Sequence, residues 1–241
     1  ALRFVQSGFL HILDGIDHLL FLLCLVIPFR RIGALIPIIT AFTVAHSITL
    51  IASAYGFAPG GLWFPPLVET VIAASILYMA LENVVGASVR RRWIITFAFG
   101  LVHGFGFSFA LRESLQFAGG HLLTSLLAFN VGVELGQLLV LALCIPALEV
   151  LFRYVVAERV GTIILSVFVA HTGWHWMAER AVIFSQYQIQ WPALSVGLFL
   201  SLLGWLLLAL VVAGLGWLAF GMLWNPAARE PVGEATAATE E

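Results

Sequence analysis

The stretch LSVGLFLSLLGWLLLALVVAGLGWLAF, residues 194–220, carries no charged residue at all. A second run, LLVLALCIPALEVLF at 138–152, is interrupted only by Glu149. Apolar runs of about 20 residues are long enough to cross a bilayer as a helix. Backbone in lipid must satisfy its own hydrogen bonds, which leaves helices or closed barrels. Barrel strands alternate in polarity over about ten residues, and these runs do not alternate. The expected fold class is therefore all-α, a polytopic transmembrane helical bundle. Composition points the same way: 61% of residues are hydrophobic and 10% charged, with a mean hydropathy of +1.04. A soluble domain has about a quarter of its residues charged.

Chemical breaks divide the chain into about seven spans, at 8–28, 33–55, 66–87, 93–112, 121–152, 160–183 and 193–224. The breaks include Pro28-Phe29-Arg30-Arg31, the proline- and glycine-rich stretch from Gly56 to Pro66, Arg90-Arg91-Arg92, and Gly119-Gly120 beside a loop histidine, His121. Residues 1–225 are expected to form a seven-helix membrane domain, and 226–241, small, polar and acidic, a disordered tail. The sequence opens without an initiator Met or a basic n-region, so it is expected to begin downstream of a removed segment. Cys24 and Cys144 lie in apolar runs without CxxC spacing and read as packing residues. A net charge of -2 and a pI near 6.4 offer no basic surface for nucleic acid. The expected partners are the lipid bilayer and a metal ion.

Arginines set the expected orientation. Arg30, Arg31, Arg90, Arg91, Arg92, Arg153 and Arg159 fall in the first, third and fifth connections, whereas the others hold Arg112 and Arg180. Short cytoplasmic loops carry the excess of positive charge. The N-terminus is then expected outside and the C-terminus in the cytoplasm.

Against this frame the segment HILDGIDHLLFLL, residues 11–23, is anomalous, because ionisable groups facing lipid are strongly disfavoured. On one straight helix His11, Asp14 and His18 share a face about 60° wide, with Asp17 at its edge. These residues point inward, into the bundle or a wet cavity. His46 in TAFTVAHSITL, His103 in FGLVHGFGFS, and His171 and His175 in HTGWHW all fall in the outer or middle part of their spans. Sequence-distant groups thus converge on one layer. Histidine with carboxylate is a donor set for zinc, nickel, iron or copper. Two histidines at i, i+4 can reach one ion from a helix face. An Asp-His pair can supply a ligand and its hydrogen-bonded partner. The candidate metal ligands are His11, Asp14, Asp17, His18, His46, His103, His171 and His175. Glu134 in FNVGVELGQ lies near mid-depth, and with Asn130 and Gln137 it forms a candidate ion relay. Glycines flank these residues, and GLVHG fits the small-xxx-small spacing that lets helices approach closely.

The blocks GFLHILDGIDHLLFLL, TAFTVAHSITL, FGLVHGFGFSFAL, FNVGVELGQ and AHTGWHWMAER, in this order, resemble the HupE/UreJ family of bacterial membrane proteins over residues 8 to about 180. The resemblance implies a location in the bacterial cytoplasmic membrane and transport of a divalent cation of the nickel or cobalt type. In a permease, Asp14, Asp17 and His18 would capture the ion, and His46, His103 and Glu134 would pass it inward. An intramembrane zinc-dependent hydrolase, with a site open to the outer face, is the alternative. Three histidines would hold zinc and an aspartate would act as base on the bound water. The late HxxxH pair is loosely similar to membrane ceramidase-like hydrolases.

Overall fold

A computed structural model of the protein describes residues 2–115 and 122–187, with scattered helical positions between 197 and 214. The chain falls into two compact units, Ala1–Gln188 and Ile189–Glu241, and the first carries every feature described below. The expected last span at 193–224 lies largely outside the described residues. The polar tail at 226–241, His121 and the Gly119-Gly120 break lie wholly outside them.

In the first unit the described regular elements are all α-helices: α1 Leu2–Asp14, α2 Ile16–Val26, α3 Ile32–Ala54, α4 Phe64–Val85, α5 Val89–Leu115, α6 Leu122–Tyr154 and α7 Glu158–Ser185. Helices α3, α4 and α6 are long and apolar enough to cross a membrane. The pair α1 and α2 adds a fourth crossing if taken as one span bent by 71°. The described residues thus supply three to four spans by length and composition, short of the expected seven. The expected last span falls largely outside the described residues, and α5 and α7 run 27 and 28 residues, about 40 Å each. Along α6, Leu123, Leu127, Val131, Leu135, Leu139 and Leu143 form an exposed apolar stripe at every fourth residue, suited to lipid contact.

The expected first span is broken at Gly15, whose extended backbone (φ -79°, ψ 95°) separates α1 from α2. A Cβ on Gly15 would lie 2.8 Å from both the His11 carbonyl oxygen and His18 Nδ1. A side chain there would collide with the histidines themselves. The expected break at Arg90-Arg91-Arg92 is also displaced, because α5 begins at Val89 and takes all three arginines into its first turn. Arg92 is fully buried among α2 and α4 and has reason to stay helical.

Packing proceeds by close pairs: α3 on α5, α4 on α7, and α1 on α6, with α2 set between α4 and α6. The small residues explain how near the backbones come. A Cβ on Gly100 would lie 2.6 Å from the Phe42 carbonyl oxygen and 2.9 Å from Ala45 Cβ, and Gly104 is crowded by the His46 backbone. Gly100→Ala is expected to destabilise the bundle by about 1–3 kcal/mol, because α3 must move to admit the methyl group. Denaturation of the purified variant in mixed micelles measures this, and an unchanged midpoint would contradict the packing described.

Candidate metal centre

Five of the expected ligands, His11, Asp17, His18, His46 and His103, meet in the middle of the bundle. The His18 ring lies 4.7 Å from that of His11, 6.3 Å from His46 and 5.2 Å from His103, centroid to centroid. Two sets of donor atoms fall within 4.8 Å of one another: His11, His18 and His46 form one, and Asp17, His18 and His103 the other. His18 belongs to both. Helices α1, α2, α3 and α5 therefore each contribute to the centre.

The break at Gly15 changes which aspartate takes part. On a single straight helix Asp14 shares the histidine face. In the structure α1 ends at Asp14, whose side chain is exposed, while Asp17 enters the first turn of α2 and is half-buried. Asp17 Oδ1 lies 3.1 Å from His18 Nδ1.

Three histidines share a hydrogen-bonding pattern. His18 Nδ1 donates to Asp17, and no partner meets its buried Nε2 among the described residues. His46 Nδ1 lies 3.4 Å from Asn130 Oδ1. The Asn130 amide nitrogen donates to the Leu126 carbonyl, so Oδ1 is the end that accepts from His46, and among the described residues His46 Nε2 has no partner. Ser75 donates its hydroxyl to the Ile72 carbonyl at 2.7 Å and accepts from His103 Nε2 at 3.2 Å, and among the described residues His103 Nδ1 has no partner. Each ring therefore carries its proton on the nitrogen that faces protein. The other nitrogen, a bare lone pair, is buried. Buried polar atoms are nearly always paired, and a partner on the outer nitrogen is how proteins orient a metal-binding imidazole. The centre suits a divalent transition metal on both counts.

Ser75 was not among the residues expected from sequence. In TVIAASILY it is a small hydroxyl in an apolar helix, and such residues usually bond their own backbone. Ser75 does so, and serves His103 as well.

Beneath the histidines lies an aromatic floor. Phe21 and Phe42 are buried, with rings 5.3 Å apart, and both lie within 5.3 Å of the His103 ring. Farther along α2, six residues or about 9 Å of helix from His18, the Cys24 carbonyl accepts from Asn83 and Arg92. The Arg92 guanidinium also pairs with Glu82 at 2.9 Å and bonds Asn83. Sequence analysis assigned Arg92 to a connection, but this arginine is a buried strut between α2, α4 and α5.

The candidate relay residues line the seam between α3 and α6. Asn130 bonds His46 as described. One turn on, Glu134 accepts from Thr40 at 2.8 Å and from Thr43 at 2.5 Å, and Gln137 Oε1 lies 2.9 Å from the Thr43 hydroxyl. Thr40 and Thr43, missed in the sequence, share the α3 face of His46 at spacings of three residues. His171 and His175 do not join the centre. They sit exposed on α7, with rings 4.5 Å apart.

Comparison with curated proteins and with solved structures returns no match. A family model described as HupE / UreJ protein matches residues 1–180, a stretch that contains the whole centre, the α3–α6 seam and the pair on α7. On that match the chain belongs to the HupE/UreJ family.

Proposed function

We propose that the protein is a permease for a divalent transition-metal ion of the nickel or cobalt type, working in the bacterial cytoplasmic membrane. The observation that carries this reading is the set of three buried imidazoles, each with one nitrogen held by Asp17, Asn130 or Ser75 and the other bare. The family is associated with nickel and cobalt transport, and the ion is cargo. Asp17, His18, His46 and His103 bind it, with His11 beside them.

The onward path runs along the α3–α6 seam. The direct route past Phe21 and Phe42 is apolar and ends at the Arg92 guanidinium, which repels a cation. The seam instead offers Asn130, Thr43, Glu134, Gln137 and Thr40 in succession, all oxygen-bearing. Conduction needs sites that bind an ion and still release it, and carboxylate, amide and hydroxyl groups hold these metals less tightly than imidazole. The arginine-rich ends of α2, α4 and α5 face the cytoplasm under the positive-inside rule. On this reading the N-terminus lies outside and, with the expected last span, the C-terminus lies in the cytoplasm.

One observation favours a second reading, a zinc-dependent hydrolase with its site open to the outer face. The aromatic floor and the Arg92 strut close one side of the centre, as a one-sided catalytic pocket requires. Nickel and cobalt uptake into proteoliposomes decides between the two. Wild-type protein is expected to accumulate the ion. Glu134→Gln keeps shape but removes charge, and is expected to leave metal binding intact while lowering uptake by at least about tenfold. Wild-type liposomes that bind metal but take none up would reject transport and leave the hydrolase. Full uptake by Glu134→Gln would reject the relay.

A further inference from the structure

His171 and His175 occupy a face of α7 that the central site does not use. Gly173, between them, presses on α4: a Cβ there would lie 3.1 Å from the Leu77 backbone nitrogen. Successive helix residues turn by about 100°, so both histidines stand about 160° round from the α4 contact and about 40° from each other. They point away from the bundle. Around them Val167, Phe168 and Trp174 are 53%, 69% and 55% exposed, an apolar and aromatic surface. Neither imidazole makes a hydrogen bond among the described residues, yet their rings lie 4.5 Å apart, tilted by 30°. Two polar rings side by side on an exposed apolar surface are disfavoured there unless something polar engages both.

The i, i+4 spacing lets both rings reach one ion. Four-coordinate transition metals need two more ligands, and no third His, Cys, Asp or Glu among the described residues joins the pair within ligand reach. A two-fold axis beside α7 would supply the missing ligands, because such an interface places the same patch of each copy against its counterpart. The exposed Phe168 and Trp174 provide the apolar contact around the ion. We infer that His171 and His175 form half of a second transition-metal site, separate from the central one and completed by the same two histidines of a second copy of this chain. The inference does not depend on the transport reading, since metal bridging at this face would accompany either activity.

The test uses the full chain purified in detergent, with zinc ion alone as the probe. Mass is measured by light scattering and bound metal by elemental analysis. Wild-type protein is expected to dimerise with zinc and to dissociate with a chelator. His171→Ala/His175→Ala is expected to stay monomeric at the same zinc concentration and to lose about half an ion per chain. His18→Ala is expected to dimerise as the wild type does, which separates this site from the central one. A zinc-saturated wild type that remains monomeric would overturn the inference. So would a dimer that survives the double substitution, or a loss of about one whole ion per chain, which would place the site within a single copy.

Discussion

Substitution of His18 by alanine is expected to lower nickel or cobalt affinity at the central site by well over about 100-fold. This residue alone belongs to both donor sets, with His11 and His46 on one side and Asp17 and His103 on the other. Its removal leaves each set with two donors and strands Asp17 without its ring partner. Loss of a group that merely orients a ligand weakens metal affinity by about 10–100-fold, so loss of the shared ligand sets a larger effect. Ser75→Ala provides that scale. It keeps every ligand but removes the acceptor that holds the proton on His103 Nε2, and a fall within about 10–100-fold is expected. Equilibrium dialysis on the purified full chain measures both. His18→Ala binding within about threefold of wild type would mean that the buried lone pairs serve something other than a metal. A Ser75→Ala effect equal to that of His18→Ala would point to collapse of the centre rather than loss of a ligand, and circular dichroism of both variants distinguishes the two outcomes.

The centre was legible in sequence because lipid makes polar residues conspicuous. His11, Asp17, His18, His46 and His103 each interrupt an apolar run, and a group that is strongly disfavoured in lipid has few places to go. The helix bounds were legible for the same reason, from Ile32–Ala54 through Glu158–Ser185. What escaped was direction. A single glycine between two aspartates does not announce a 71° bend, and on an unbroken helix Asp14 looks better placed than Asp17. Crowding by the His11 carbonyl and the His18 ring explains why a glycine stands at the break, but not the angle at which the two helices meet. The α7 histidines were assigned to the centre on depth and their i, i+4 spacing, although neither says which way the pair faces. A usable signal was present: Thr162, Ser166 and Gly173 recur at helical spacing, and such small residues mark the packed side of a membrane helix. That side excludes His171 and His175. Ser75 and Thr43 gave no signal, since isolated hydroxyls are ordinary in apolar helices.

Arg92 illustrates how charge at the end of a span can mislead, and it yields the largest expected effect on stability. Among three consecutive arginines nothing in the sequence marks the one that turns inward. In the structure its side chain is fully buried, with Nε 2.9 Å from Glu82 Oε2 and Nη1 3.1 Å from the Cys24 carbonyl. The guanidinium also bonds Asn83 and lies 5.6 Å from the Phe29 ring centre. Replacing it with methionine keeps the volume but leaves the Glu82 carboxylate, 9% exposed, without a counter-charge. Breaking a buried ion pair from one side costs about 3–5 kcal/mol, and that loss is expected for Arg92→Met. Glu82→Leu alone is expected to cost a similar amount, since it strands the guanidinium. The double variant Arg92→Met/Glu82→Leu removes both charges, and apolar replacement of a whole buried pair is often neutral or stabilising. It is therefore expected to recover most of the loss, with only the Asn83 side-chain oxygen left unpaired and penalised at about 1–3 kcal/mol, since the Cys24 carbonyl keeps its bond from Asn83. Unfolding of the four proteins in mixed micelles completes the double-mutant cycle. Additive losses in the double variant would show that the two charges do not act as a pair, and a loss below about 1 kcal/mol for Arg92→Met would place its side chain in solvent rather than among α2, α4 and α5.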